Sequence, residues 1–192
     1  MSELKSDKLS PRTASGTVTL GTSGDTFSIP SGVTFANSGT ATGFGSSAVC
    51  TAYMTGNQSF TKNVRAKVDF DGVSFDTRSW YDTTNKRFTP QEAGYYWCQA
   101  FLVKQVGETQ VNSVFACIYK NGSNAQCNYY YDDWPWYTMQ MAFEVSMPVY
   151  LNGSTDYVEV HFEWGANGTL GLYSGGSYGQ GSKFHIFKMD QS

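Results

Sequence analysis

The chain of 192 residues is long enough for one sizeable core, or for a head with a short extension. Aromatic residues make up 16% of it and charged residues only 15%, and its 20 glycines suit many tight turns between pleated strands. The net charge of −3 leaves no basic patch, which excludes nucleic acid as a partner.

The N-terminus is polar from its first residue and lacks the apolar core of a signal peptide. No later run is long and apolar enough to cross a bilayer. We therefore expect a chain that is made in a cytosol, is not exported by the usual secretory route and does not insert into a membrane.

Residues 1–48 are rich in Ser, Thr and Gly and poor in large apolar side chains, apart from two strand-like pieces at 17–20 and 26–29. Alone, such a segment buries too little apolar surface to offset the entropy of ordering it. We expect an N-terminal arm that is either flexible or ordered by pairing with other copies or a partner. Its candidate attachment residues are Leu4, Leu9, Val18, Leu20, Phe27 and Ile29.

From residue 49 to residue 192 the pattern changes to alternating strands, which predicts a head domain. In the run 95–103 the even-numbered side chains face one way, and the odd-numbered ones, three of them aromatic, face the other. The run 114–120 leads into Asn121-Gly122, a strong signal for a two-residue hairpin turn.

Later runs continue this pattern. The run 139–151 predicts one bent strand or a strand pair, in which Pro148 marks an edge or a bulge. Residues 157–164 alternate between apolar and polar, and the run 183–189 closes the chain. No amphipathic helix is found, so the head is predicted to be an all-β sandwich or jelly roll.

The four cysteines, Cys50, Cys98, Cys117 and Cys127, match no zinc-binding pattern. We expect buried free thiols that pack as small apolar residues. A bridge between Cys98 and Cys117 is the alternative, because both would lie on neighbouring strands of one hairpin.

Two polar groups could in principle hold a metal ion: Asp69, Asp71, Asp76 and Asp82, and the face formed by Glu159, His161 and Glu163. The aspartates lack the other ligands of a calcium loop, and polar alternation is normal on a solvent-facing strand. We therefore expect structural roles for both groups, and no metal or cofactor. No nucleophile, phosphate-binding or metal motif occurs, so we expect no enzymatic activity.

The most distinctive local feature is the run 128–137, which we expect to be a loop between two strands. Aromatic faces beside carboxylates and amides are the usual groups that grip sugars. The alternative is that these rings pack across a subunit interface or cover the core. The candidate ligand-binding residues are Tyr129, Tyr130, Tyr131, Asp132, Asp133, Trp134, Trp136 and Tyr137.

The region of about 50–189 resembles the C1q domain. The matching pieces, in order, are Tyr81-Asp82, Phe88-Thr89-Pro90, Gly94-x-Tyr96, the strand-to-turn run 118–122, the entry at 149–160 and the closing strand 184–189. Cys98 replaces the usual aromatic residue after Gly-x-Tyr, so the resemblance carries the fold further than any binding site. It implies a C1q/TNF-like jelly-roll sandwich with an extended N-terminal arm. Heads of this family associate through a largely apolar, aromatic axis, so it also implies a homotrimer.

The runs 3–12 and 18–33 are similar to the start of structural and tail-fibre-like proteins of tailed phages, particularly marine ones. In those proteins a short arm attaches to other virion proteins and a β-domain faces outward. The resemblance implies a non-enzymatic virion-surface protein of tail-fibre or tip type, assembled in host cytoplasm, whose head binds host-surface glycan. A capsid decoration or cement protein is the first alternative, and a bacterial C1q-like lectin is the second.

Overall fold

The computed structural model describes residues 11, 16–34, 48–105, 111–131, 141–166, 170–175 and 181–189. The chain divides into two units, Met1–Gly45 and Ser46–Ser192. The described residues include no helix long and apolar enough to cross a membrane.

In the first unit, residues 16–34 contain a turn but no strand. The Asp25 carboxylate accepts hydrogen bonds from the Thr22 backbone N–H at 2.7 Å and the Thr22 hydroxyl at 3.1 Å. These bonds hold the pKa of Asp25 below its usual value. The strand-like pieces at 17–20 and 26–29 therefore flank a formed turn, but they do not pair as strands within one chain.

The head is a sandwich of antiparallel strands. One sheet has the order β10-β7-β13-β1-β4 and the other the order β5-β6-β11-β8-β9, with β3 also paired to β11. The strands of the first sheet are β1 (Val49–Tyr53), β4 (Gly72–Asp76), β7 (Ala93–Val103), β10 (Ala142–Asn152) and β13 (Lys183–Lys188). Those of the second are β3 (Ala66–Lys67), β5 (Tyr81–Asp82), β6 (Arg87–Phe88), β8 (Val111–Lys120), β9 (Ser123–Tyr131) and β11 (Val158–Ala166). A short pair, β2 (Gln58–Phe60) and β12 (Leu170–Leu172), lies beside them.

The core lies between the two sheets and follows the predicted alternation. On β7 the fully buried side chains are Tyr96, Cys98, Ala100 and Leu102. On β11 they are Val158, Val160, Phe162 and Trp164. Phe162 joins the layers, since its ring lies 5.0 Å from that of Phe60 and 6.2 Å from that of Phe143. The predicted all-β jelly-roll sandwich is confirmed.

The Asn121-Gly122 turn and the edge position of Pro148 are also as predicted. Asn121 and Gly122 both have positive φ, 51° and 75°, which is the conformation that a two-residue hairpin turn needs. Pro148 lies in β10, the edge strand of its sheet, where a missing backbone N–H is tolerated.

The pairing of the cysteines differs from the predicted free thiols. Cys117 and Cys127 form a disulfide across the β8–β9 hairpin, so the expectation of free thiols is wrong for this pair. The Cys98–Cys117 alternative is also wrong, because the two residues lie in different sheets. Cys98 packs in the core cluster between the sheets, whereas Cys117 is not part of that cluster. Cys50 and Cys98 are free and buried, as expected.

The disulfide and the two buried thiols predict how many cysteines react with a thiol reagent in the native, unfolded and reduced protein. Burial, and next the Asp76 carboxylate, raise the pKa of Cys50 to about 12, and burial raises that of Cys98 still further. Since only the exposed thiolate reacts, we expect native protein to show no reactive thiol, unfolded protein two, and unfolded, reduced protein all four. A thiol-reactive chromophore measures each number. Four thiols in the unfolded, unreduced protein would contradict the disulfide.

Candidate functional site

The aromatic run predicted as a ligand site begins within a strand, not in a loop. Tyr129, Tyr130 and Tyr131 are the last residues of β9. The strand's alternation turns Tyr130 inward, where its ring packs at 5.3 Å on Phe143 and its hydroxyl bonds the backbone of Glu144. Tyr130 is thus partly buried and packs against the core. Asp132, Asp133, Trp134, Trp136 and Tyr137 lie outside the described residues.

Tyr129 and Tyr131 face outward and form an exposed cluster with Phe115, which we call the tyrosine patch. Tyr129 is 54% exposed and Tyr131 is 65% exposed. The ring of Tyr129 lies 4.7 Å from that of Phe115 and 6.4 Å from that of Tyr131. The Arg65 guanidinium lies 5.1 Å from the Phe115 ring, and its Nε lies 2.8 Å from a Glu163 carboxylate oxygen. The patch therefore combines flat rings with a fixed ion pair.

The polar face of β11 lies beside this patch on the same outward side of the sheet. Glu159 is only 4% exposed and forms an ion pair with Lys67. It also lies 2.9 Å from His161, whose ring stacks on Tyr119 at 3.9 Å. The pKa of His161 is lowered, first by burial and also by the charges of Lys67 and Arg65, although the Glu159 carboxylate acts to raise it. These contacts pack β11 against its neighbours, and Glu159 is buried under Lys67, whereas a solvent-facing position was expected.

Three of the four aspartates expected in turns, Asp71, Asp76 and Asp82, accept hydrogen bonds from nearby residues. Asp71 binds the backbone and hydroxyl of Thr55. Asp76 accepts bonds from the backbone of Arg78 and Tyr81. Asp82 binds Asn85 and Thr84, and these hydrogen bonds, the Asn85 side chain first, lower its pKa. Among the residues that the structure describes, no three His, Cys, Asp or Glu side chains group as metal ligands.

A second aromatic surface covers the outward side of the five-stranded sheet. The pairing aligns Pro148 on β10 with Trp97 on β7 and Phe187 on β13, and places Tyr150 opposite Tyr95 in the next row. We call this surface, with Phe101, the aromatic face. The rings of Tyr95, Phe101, Tyr150 and Phe187 are each 40–49% exposed. The alternation in β7 predicted that the aromatic rings of this strand face outward. Only the order of the strands in the sheet shows that residues of β10 and β13 belong to the same surface.

Polar groups interrupt the aromatic face in its middle row. Gln99 donates to Glu144 at 2.6 Å, and Nδ1 of His185 lies 3.0 Å from the Thr51 hydroxyl. Burial, and next the charge of Lys183, lower the pKa of His185. The neutral imidazole is therefore the favoured form in the centre of this face.

The sequence matches no protein-family profile, and no curated protein is similar to it in sequence. Among solved structures, murine APRIL at pH 8.0 is similar with a TM-score of 0.55 and 9% identity, over 75% of this chain and 100% of that one. Eiger TNF from S. frugiperda is similar with a TM-score of 0.51 and 10% identity, over 76% of this chain and 93% of that one. At these identities the likeness establishes the fold: the chain is an all-β protein whose head is a TNF-like jelly roll.

Proposed function

We propose that the chain is a non-enzymatic binding protein whose heads form a homotrimer through the aromatic face. The observation that carries this proposal is the aromatic face itself, where rings from three adjacent strands lie half-exposed on one side of the sheet. Soluble monomers rarely expose apolar patches of this kind. The resemblance to the C1q domain adds the threefold symmetry.

The energy available from this face is of the same order as the cost of association. A large aromatic side chain has about 150–250 Å² to bury. At about 25 cal/mol per Å², covering the exposed parts of four rings gives on the order of 10 kcal/mol per subunit, against an association cost of about 4–15 kcal/mol. The face is thus suited to stable self-association but leaves no large surplus, so charges placed within it should break the trimer.

The arm supports a place on a larger assembly. In the described part of the arm, Val18, Leu20, Phe27 and Ile29 are 41–66% exposed, which leaves apolar surface for another chain. Together with the similarity of residues 3–33 to phage structural proteins, this supports attachment to other virion proteins and a head that faces outward. A tail fibre or tip is the leading role, and a capsid decoration protein or a C1q-like lectin is the alternative.

Cryo-electron microscopy of the particle that encodes this chain tests its location. Density for a trimer at the tail or a fibre tip supports the leading role. Density on the head shell, with the arm between capsid subunits, supports the decoration protein. If no density on the particle fits the trimer, the virion role is wrong and the lectin is favoured.

Within this role, we infer that the tyrosine patch contacts host-surface glycan. Replacing both Tyr129 and Tyr131 with alanine removes the two exposed ring faces, each worth about 0.5–1.5 kcal/mol in a stacking contact. We expect about a tenfold or greater loss of adsorption to host cells. The matched control replaces both with phenylalanine, which keeps the stacking surface and should keep most of the adsorption. Unchanged adsorption in the alanine variant would exclude the patch as the contact site.

A further inference from the structure

A separate cleft opens at one end of the five-stranded sheet, far from the tyrosine patch. Its volume is about 490 Å³, which lies within the usual range for small-molecule sites. It lies at the row where Lys183 on β13 pairs with Tyr53 on β1 and with Phe101 on β7, the end of the aromatic face opposite Tyr95. Hydroxyl groups of Thr55, Ser74 and Ser174 also line it.

The floor of the cleft is built by a glycine and a bulge. The Tyr53 ring lies directly on Gly72, where an added Cβ would come within 2.5–2.9 Å of the ring atoms. Next to it, Thr51 pairs with Phe75 and Ala52 with Val73, so Ser74 is an extra, unpaired residue of β4. Bulges of this kind re-aim a side chain, and here Ser74 is directed into the cleft.

The opposite wall is fixed by close backbone packing. Gly181 lies on the Ser174–Gly175 backbone so closely that an added Cβ would be 2.0 Å from the Ser174 carbonyl oxygen. Asn57 holds Ser174 in place by accepting hydrogen bonds from its backbone N–H at 2.9 Å and its hydroxyl at 3.0 Å. The wall is therefore preformed, which lowers the ordering cost of binding a ligand.

Among the described residues that line the cleft, the charged side chain is that of Lys183. No ion pair involves Lys183 within the part of the chain that the structure describes. Thr55 of the lining donates its backbone N–H and its hydroxyl to the two oxygens of the Asp71 carboxylate. A half-buried ammonium among hydroxyl groups favours an anionic ligand that also carries hydroxyls.

We propose that this cleft binds an acidic sugar. The sugar carboxylate pairs with the Lys183 ammonium, its hydroxyls exchange hydrogen bonds with Ser74 and Ser174, and its C–H face packs on the Tyr53 ring. This combination of one cation, several hydroxyls and one ring matches a carboxylated monosaccharide better than a simple anion, which would leave the ring and the hydroxyls unused. The site is separate from the tyrosine patch, and it adjoins the aromatic face at Phe101, the cross-strand partner of Lys183.

Titration of the full chain followed by NMR and calorimetry tests the proposal, with N-acetylneuraminic acid and glucuronic acid as probes. We expect the acidic sugars to bind and to shift signals of Tyr53 and Ser74, while glucose does not bind. Lys183→Gln should weaken binding about tenfold or more. Lys62→Gln, which removes an exposed lysine elsewhere, should leave it unchanged.

Two further measurements make the outcome decisive. Ser74→Ala keeps the charge and should weaken binding about threefold to tenfold through loss of one hydrogen bond. Inorganic phosphate should bind at least tenfold more weakly than the acidic sugars. The proposal is overturned if Lys183→Gln binds normally, if phosphate binds as tightly as the sugars, or if the shifts fall on Tyr129 and Tyr131. The oligomeric state of each variant, measured alongside, separates this result from failure of the trimer.

Discussion

Replacing Trp97 with glutamate is expected to convert the trimer into monomers. Trp97 lies at the centre of the aromatic face, half-buried, with Pro148 on one side and Phe187 on the other. In the trimer a glutamate there would bring three carboxylates into an apolar region. Each buried, unpaired charge costs several kcal/mol, which exceeds the small surplus that the aromatic face supplies.

Sedimentation equilibrium measures this change directly. The unmodified chain should show about three times its mass of 21.2 kDa at micromolar concentration, and Trp97→Glu should show the single mass. Because the Trp97 side chain faces away from the core, the circular dichroism of the variant should keep its β signal. Phe187→Glu in the same row gives an independent second variant.

Tyr131→Glu is the matched control, since it places the same charge on an exposed ring of the opposite sheet. It should remain a trimer. A trimeric Trp97→Glu that keeps its fold would place the subunit contact elsewhere. A monomeric unmodified chain at the highest soluble concentration would exclude self-association through this face.

Local patterns predicted most of the strands because the same side chains that alternate in sequence are buried alternately in the sandwich. The clearest cases are β7 and β11, in which every second residue is in the core. The turn at Asn121-Gly122 likewise requires only two adjacent residues with positive φ, and the residue types Asn and Gly indicate this conformation in the sequence. These features depend on near neighbours in the chain, and so the sequence was sufficient for them.

The disulfide could not be predicted, because it depends on one bulge. A regular hairpin around Asn121-Gly122 would place Gln126 opposite Cys117 and turn Cys127 to the other face of the sheet. The register instead shifts between Ile118 and Tyr119, which sets Cys127 opposite Cys117. The same shift places Tyr129 opposite Phe115 and so builds the tyrosine patch. No residue type near this position indicates in the sequence that a bulge forms there.

The aromatic face and the buried Glu159 were missed for a different reason: both depend on strands that are distant in sequence. Phe187 joins Trp97 only because β13 pairs with β7 across the sheet. Glu159 is buried only because β3 brings Lys67 over it. Sequence alternation indicates that a side chain faces outward, but not which strand lies beside it.

The head's own stability should depend most on Trp164, the largest of its fully buried side chains. Its indole packs between the sheets, and its Nε1–H donates to the backbone carbonyl of Phe60 at 3.1 Å, which links β11 to the small sheet. Trp164→Ala removes the ring and leaves that carbonyl without a donor. Cavity formation of this size costs about 3–5 kcal/mol, and the unsatisfied carbonyl about 1–3 kcal/mol more.

Such a loss is a large part of the 5–15 kcal/mol that typically stabilises a domain, so Trp164→Ala should be largely unfolded or show a sharply lowered midpoint in urea. Trp164→Phe keeps much of the ring and should lose less, chiefly the hydrogen bond to Phe60. Tyr131→Ala, which removes an exposed ring, should change stability by no more than about 0.5 kcal/mol. Because association adds stability that rises with the logarithm of protomer concentration, all variants must be compared at one concentration. Equal midpoints for Trp164→Ala and Tyr131→Ala would mean that the sandwich core is not organised around this indole.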